Sequence, residues 1–284
     1  MLSLSAILDR HRADFHPVVP FDTTRDRLFS FDFTERNTSL APEDIANTEC
    51  FATWINNTLR QHQARYGIGG YGEHRTLYAR SAHFDQPVTT LAPTASQPER
   101  PTRAGSESSR SDSAGSRASS ASQESDSGSM LTSSGPAGTA MADSAAEPRR
   151  LHLGVDIWGP AGTKVMAPLG GIVHSFAFNN NDSDYGATII LTHHLDGIGF
   201  HTLYGHLSLN SLKNLYEGQP VTKGEVIAEF GMRFENGNWP PHLHFQIIAD
   251  MQGWRGDYPG VCRFSERMQW LAACPDPNII LKML

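Results

Sequence analysis

Five side chains between residues 152 and 244 have the types and spacings that metal-assisted hydrolysis requires. His152 and Asp156 stand four apart in Leu-His-Leu-Gly-Val-Asp, and His242 and His244 stand two apart in Pro-Pro-His-Leu-His-Phe. His206 lies between them in Leu-Tyr-Gly-His-Leu-Ser. Catalytic zinc sites draw three protein ligands from His, Asp and Glu and keep a fourth position for water. The metal lowers the pKa of that water and polarises the carbonyl under attack. A His-Asp segment and one histidine of the pair meet that count, and the remaining histidines can move protons near the working pH. A single His-x-His arises readily by chance among 13 histidines. The company of the other two elements gives it weight. No His-Glu-x-x-His motif and no Gly-x-Ser-x-Gly elbow occurs, which excludes the commonest helical zinc-protease site and the serine-hydrolase elbow.

Bringing these groups together requires extended chain. Residues i and i+2 of a strand share a face, so His242 and His244 project together. Both can ligate one metal, or one can ligate while its neighbour handles protons. His152 and Asp156 also share a side of an extended or looped segment, because Gly154 between them and Gly159-Pro160 after them disfavour a helix. The surrounding chain fits this demand. Short runs rich in Val, Ile, Thr and Phe, bounded by Gly, Asn, Asp or Pro, predict strands at 164–166, 171–178, 188–192, 199–204, 225–231 and 242–249. Asn179 to Gly186 reads as a hairpin loop and Ser265 to Ala273 as a late helix. Helical patterns between these strands are lacking, so an antiparallel sheet forming a sandwich or groove is expected.

Ahead of this region, Leu2 to His11 predicts a short helix capped by Ser3 or Ser5, and Ala41 to Gln63 holds helix-like stretches, where Pro42-Glu43-Asp44 resembles a first turn. The glycines of Gly67 to Gly72 predict a turn, and Arg75 to Phe84 a strand. No strand pattern precedes those glycines and no Gly-Lys-Ser/Thr follows, so they are not a phosphate loop. Between Pro93 and Pro148 the chain is Ser, Ala, Gly, Thr and charge, with no aromatics. Such composition cannot bury enough surface to offset its ordering entropy, so a disordered insertion is expected.

The segment from Leu151 to Ile248 resembles the lysostaphin/LytM-type zinc metallopeptidases. The likeness runs through His152-x-Gly154-x-Asp156, Gly162-Thr163-x-Val165-x-Ala167-Pro168-x-x-Gly171-x-Val173 and Tyr185-Gly186. It continues through Ile189-Ile190-Leu191, Thr202-Leu203-Tyr204-x-His206-Leu207-Ser208 and Gly218-x-x-Val221-x-x-Gly224-x-x-Ile227-Ala228-x-x-Gly231, and it ends at His242-Leu243-His244-Phe245. The resemblance implies one zinc ion per chain held by His152, Asp156 and His244. His206 and His242 would be the catalytic pair that polarises the water and stabilises the tetrahedral intermediate. Tyr204 would be a wall or hydrogen-bond donor of the cleft. The implied fold is mainly β, a strongly curved antiparallel sheet with a groove (lysostaphin-like, of the duplicated hybrid motif type) and a few peripheral helices. The implied activity is endopeptidase cleavage of peptidoglycan stems or cross-bridges.

On this reading the chain divides into an N-terminal helix-and-strand region packing on the catalytic unit (1–92), the Ser-rich insertion (93–148) and a zinc metallopeptidase domain (149–284). The family often carries small Gly/Ser residues before its His-x-His pair. Here Met232 to Pro241 stands instead, and Phe234 and Trp239 could reshape the groove. Arg75, Tyr78 and Arg80 could bind a substrate carboxylate there, although solvated strand charges are the commoner role. His193 and His194 read as strand-end residues and His201 as structural.

A net charge of −7 argues against a nucleic-acid partner. No run is long enough to span a membrane, and no basic segment followed by a long apolar stretch opens the chain, so no secretory signal is read. A cytoplasmic protein is the default expectation, and the oligomeric state is not legible. Cys50, Cys262 and Cys274 give no disulfide framework; buried thiols are expected, with a Cys262–Cys274 pair only if exported. Two other functions compete with this reading. A non-catalytic peptide- or glycan-binding or hydrolase-activating module on the same fold would be expected to have lost metal ligands, and none is lost. A lipoyl- or biotinyl-type carrier would need a lysine in a Met-Lys-Met-like hairpin tip, which Lys164 and Lys223 lack.

Overall fold

Asn47 shows how the N-terminal part is built. Its side chain accepts from the backbone N–H groups of Glu49 and Cys50, and its own backbone is extended. It therefore ends one helix, α2 (Pro42–Ala46), and caps the next, α3 (Thr48–Gln61). The helix-like stretches expected over 41–63 are these two helices. Phe51, Ile55 and Leu59 recur every four residues on α3 and form its buried stripe. Helix α1 (Leu4–Arg10) is capped by the Ser3 hydroxyl, as expected, and buries Ile7 and Leu8. The computed structural model describes residues 3–86 and 147–284, which belong to one compact unit. The segment read as a disordered insertion, 93–148, lies outside the described residues except for Glu147 and Pro148.

The strands are β1 (Leu28–Phe31), β2 (Tyr66–Gly69), β3 (Leu151–His152), β4 (Val155–Trp158), β5 (Lys164–Met166) and β6 (Gly171–Asn179). After them come β7 (Gly186–Leu195), β8 (Ile198–Leu207), β9 (Pro220–Val221), β10 (Val226–Glu229), β11 (His242–Ile248) and β12 (Val261–Cys262). Eight form one sheet in the order β1-β2-β4-β11-β8-β7-β6-β9. β5 pairs with β10 and β3 with β12 in two small antiparallel ribbons. The chain ends in two helices, α4 (Arg267–Ala273) and α5 (Asn278–Leu281).

The protein is mainly β with few helices, as expected, but its large sheet is mixed. β1 and β2 run parallel, joined by the α2–α3 crossover, and the other neighbours run antiparallel. Two N-terminal expectations are corrected. Gly67 and Gly69 belong to a strand, not a turn. A Cβ on Gly67 would lie 1.9 Å from the ring of Phe31, so glycine here permits close strand packing. The turn is confined to Tyr71 and Gly72, the latter at φ +67°. Residues 75–84 do not form a strand; they make two short 3₁₀ turns, Thr76–Arg80 and Ala82–Asp85.

One face of the large sheet carries Val155, Ile157, Ile189, Leu191, Tyr204, Leu243, Phe245 and Ile247 in the main core, with Leu8 of α1 and Ile280 and Leu281 of α5. The opposite face carries the histidine rows, flanked by two further apolar clusters. Trp158 packs there with Phe33 and Phe51 from the N-terminal part. On the other flank, Tyr185, Leu203, Ile190 and Tyr258 pack with the C-terminal segment. Helices and tail thus wall the histidine face on both sides.

Candidate metal centre

Strand register places the first set of groups. His244 on β11 lies opposite Asp156 on β4 and Gly205 on β8, so its ring and the carboxylate share a face. His152 on the short β3 reaches the same point. His152 Nε2, His244 Nδ1 and Asp156 Oδ1 form a triangle with edges of 3.0, 3.1 and 3.3 Å. These are the three potential ligands that converge among the described residues. A tetrahedral zinc site with bonds of ~2.0–2.1 Å separates its ligand atoms by about 3.3–3.4 Å, so the triangle fits that ion with little adjustment.

The protons agree with the spacing. His152 Nδ1 lies 3.0 Å from the carbonyl oxygen of Gly70, which can only accept. The neutral ring therefore donates there and leaves Nε2 bare. His244 Nε2 lies 2.9 Å from Gln246 Oε1, and Gln246 Nε2 is committed to the Pro259 carbonyl and Cys274 Sγ. His244 therefore donates from Nε2 and leaves Nδ1 bare. Three lone-pair atoms thus face one another with no proton between them, an arrangement that a cation satisfies. Burial, and then the Arg75 guanidinium, push the His152 pKa down to about 4, which keeps the ring neutral. Burial alone would raise Asp156; His152 and Arg75 outweigh it and hold the carboxyl well below its usual range.

Glycines make room for the rings. A Cβ on Gly154 would lie 2.5 Å from His244 Cε1, and one on Gly205 would lie 2.5 Å from the Tyr185 ring. We expect Gly154→Ala to displace His244, weaken metal binding and lower the unfolding free energy by about 1–3 kcal/mol. Denaturant unfolding with and without zinc measures both effects, and wild-type values in both would contradict the packing described.

His206 and His242 lie beside the triangle, their ring centroids 4.1 Å apart. Strict alternation would turn His206 to the face of Tyr204, away from His244. A bulge prevents this: the β7–β8 register shifts between Ala187 and Ile189, and His206 adopts φ +62°. Hydrogen bonds from His206 N to Tyr185 O and from Gly231 N to His206 O hold that left-handed backbone. The segment 231–241 then fixes both rings. The Asn236 carbonyl lies 2.8 Å from His206 Nδ1, and the Pro240 carbonyl lies 2.8 Å from His242 Nδ1. The Asn236 side chain anchors this segment, donating to the carbonyls of Gly231 and Trp239 and accepting from Trp239 N. His242 also stacks on Trp158 at 3.9 Å. Burial lowers the His242 pKa to about 4, and burial with the neighbouring His242 and His244 holds His206 well below 6.5. Both rings are therefore neutral at pH 7 and protonated on Nδ1, and Nε2 has no hydrogen-bond partner among the described residues.

A cavity of about 320 Å³ opens over His206 and His244. Tyr78, Tyr185 and Trp239 wall one part, and Arg149, Asp184 and Asp257 bring charge to another. Burial and the nearby Asp184 raise the Asp257 pKa to about 6. Trp239 is therefore a cavity wall, whereas Phe234 is 70% exposed and takes no part in it.

Other expectations change. Tyr204 is not in the cleft: it is fully buried on the opposite face against Phe245, its hydroxyl accepting from Thr202. Tyr185, quoted only as part of the resemblance, has its hydroxyl 3.4 Å from His244 Nε2 instead. Arg75 is not a solvated strand charge but a fully buried partner of Asp156. Arg80 bonds Thr48 and lies over Trp239 at 4.5 Å. His193 is buried against Gly170 O and Thr202, away from the cleft, as its strand-end reading implied. Cys262 and Cys274 are buried free thiols. Gln246 and Asn236 are functional residues that the sequence does not mark. Their roles follow from tertiary proximity, which no local pattern in the sequence signals.

Residues 150–255 match the model of Peptidase family M23, in agreement with the resemblance read from the sequence. The chain is 36% identical over 103 residues to the DD-carboxypeptidase/endopeptidase Mpg of Neisseria meningitidis serogroup B, covering 36% of this chain and 21% of that protein. It thus spans about a fifth of the length of the curated relatives it matches. Among solved structures, it is similar to the catalytic domain of the antimicrobial peptidase lysostaphin from Staphylococcus simulans, at 28% identity and TM-score 0.33, covering 47% of this chain and 80% of that one. A zinc containing peptidase from Vibrio cholerae also aligns, at 28% identity and TM-score 0.28, over 34% of this chain and 27% of that one.

Proposed function

We propose that this protein is a zinc-dependent metalloendopeptidase acting on peptidoglycan-like or Gly- or D-amino-acid-containing peptides. The convergence of three unprotonated ligand atoms beside two neutral imidazoles carries this reading. His152, Asp156 and His244 would hold one zinc ion per chain. When bound, the ion supplies Lewis acidity, lowering the pKa of a water and polarising a carbonyl.

His206 and His242 do the proton work. Each keeps Nδ1–H on a backbone carbonyl, so each ring is fixed in orientation and tautomer and accepts through Nε2. As water adds to the scissile carbonyl carbon, one ring takes the released proton. The resulting imidazolium can donate to the developing oxyanion or return the proton to the departing amine, so that the C–N bond breaks as a neutral amine leaves. The cavity over His206 and His244 would seat the peptide beside these rings. The match to Peptidase family M23 and the name of the Neisseria relative, a DD-carboxypeptidase/endopeptidase, support a peptide bond as the target.

The test is digestion of purified muropeptides and short glycyl peptides, followed by mass spectrometry. Cleavage that stops on chelation and returns with zinc is expected. Zinc bound at full occupancy without cleavage of any substrate would favour a peptide- or glycan-binding module.

A further inference from the structure

We propose that the loop Gly70–Arg75, outside the segment that matches the peptidase family, is a built part of the metal site, with Arg75 as the positioning residue for Asp156. This inference rests on the zinc reading above. His152 and Asp156 share supports that come from this loop. The Gly70 carbonyl accepts from Arg75 Nη2 at 3.0 Å and faces His152 Nδ1 at 3.0 Å. Arg75 Nη1 donates to Asp156 Oδ2 at 2.5 Å, while Oδ1 faces the two histidines. The carboxylate thus has one oxygen committed to the guanidinium and the other turned to the ligand triangle.

The guanidinium is itself fixed. Arg75 is fully buried, with Nε on Glu73 Oε2 at 2.7 Å and Nη1 also 3.3 Å from the Tyr78 hydroxyl. Glu73 Oε1 accepts from Phe33 N at 2.9 Å, so the anchor is tied to the N-terminal part. The backbone closes the same unit. Gly72 N bonds His152 O, His152 N bonds Glu73 O, and Arg75 N bonds Arg150 O. A planar fork with donors in fixed directions can hold Glu73, Gly70 and Asp156 at once, which the point charge of a lysine cannot do. Glu73 also offsets the guanidinium charge, so the loop orients Asp156 with little net repulsion of a cation.

Positioning and charge predict opposite signs. If Arg75 acts by orienting Asp156, Arg75→Met weakens zinc binding by about 10–100-fold, the range typical of outer-shell partners. If it acts only as a nearby positive charge, the same variant binds zinc more tightly. If it serves packing alone, thermal stability falls and zinc affinity stays within about twofold of wild type. The measurement is chelator competition on the full chain, with circular dichroism to verify folding. Arg75→Met leaves the buried Asp156 and the half-buried Glu73 carboxylates without the cation they share. Should it fail to fold, Glu73→Gln decides instead, since it keeps Arg75 and loosens its anchor; a loss of about 10-fold is expected. Tighter zinc binding in Arg75→Met, or affinity within about twofold of wild type in whichever variant folds, overturns the inference. Failure of the wild-type chain to bind zinc overturns the zinc reading itself.

Discussion

His206→Ala is expected to keep its zinc and lower kcat by about 10²–10⁴-fold, the usual contribution of a positioned acid–base group. His206 stands outside the triangle formed by His152, Asp156 and His244, so its removal leaves all three ligand atoms in place. Its ring is held by the Asn236 carbonyl and lies 4.1 Å from that of His242. Alanine at this position keeps a Cβ on the same left-handed backbone and adds no new backbone strain. The variant should therefore fold, bind metal and fail in turnover. Zinc content measured beside single-turnover cleavage separates these quantities. Loss of zinc with His206→Ala would make His206 a ligand, and unchanged kcat would remove it from the proton relay.

The opposite phenotype is expected of His244→Ala. Its Nδ1 lies 3.0 Å from His152 Nε2 and 3.1 Å from Asp156 Oδ1. If the roughly 10–16 kcal/mol of a four-ligand zinc site is shared evenly, one ligand carries ~3–4 kcal/mol, or about 10²–10³-fold in affinity. Activity at limiting zinc should fall with it and recover in part at high zinc. The variant also strips Gln246 and Tyr185 of their partner, so the loss should not stay below this range. Zinc affinity at the wild-type level would show that His244 is not a ligand.

What the sequence could reveal depended on distance along the chain. His242 and His244 share a face through alternation alone, and their strand, with β6, β7 and β8 around it, follows from short apolar runs between turn formers. Gly154 and Gly159 pointed to an extended His152–Asp156 segment, and β3 and β4 are extended. His206 is different. Alternation from Tyr204 turns it the wrong way, and a bulge opposite Thr188, which local pattern does not mark, turns it back. The same bulge explains why Tyr204, beside a functional histidine in sequence, lies on the far face. Arg75 was misplaced because a charged residue between polar neighbours reads as exposed, whereas Glu73 and Asp156 make its burial tolerable. Gly67 reads as part of a turn because its reason for being glycine, the ring of Phe31, lies more than thirty residues away in sequence.

X-ray absorption at the zinc edge of the zinc-titrated chain tests the central claim most directly. The account predicts saturation at about one zinc per chain, with two imidazole ligands, the remaining shell oxygen, and no sulfur. A sulfur scatterer, which would implicate Cys262 or Cys274, a single imidazole, or no saturable binding would contradict it.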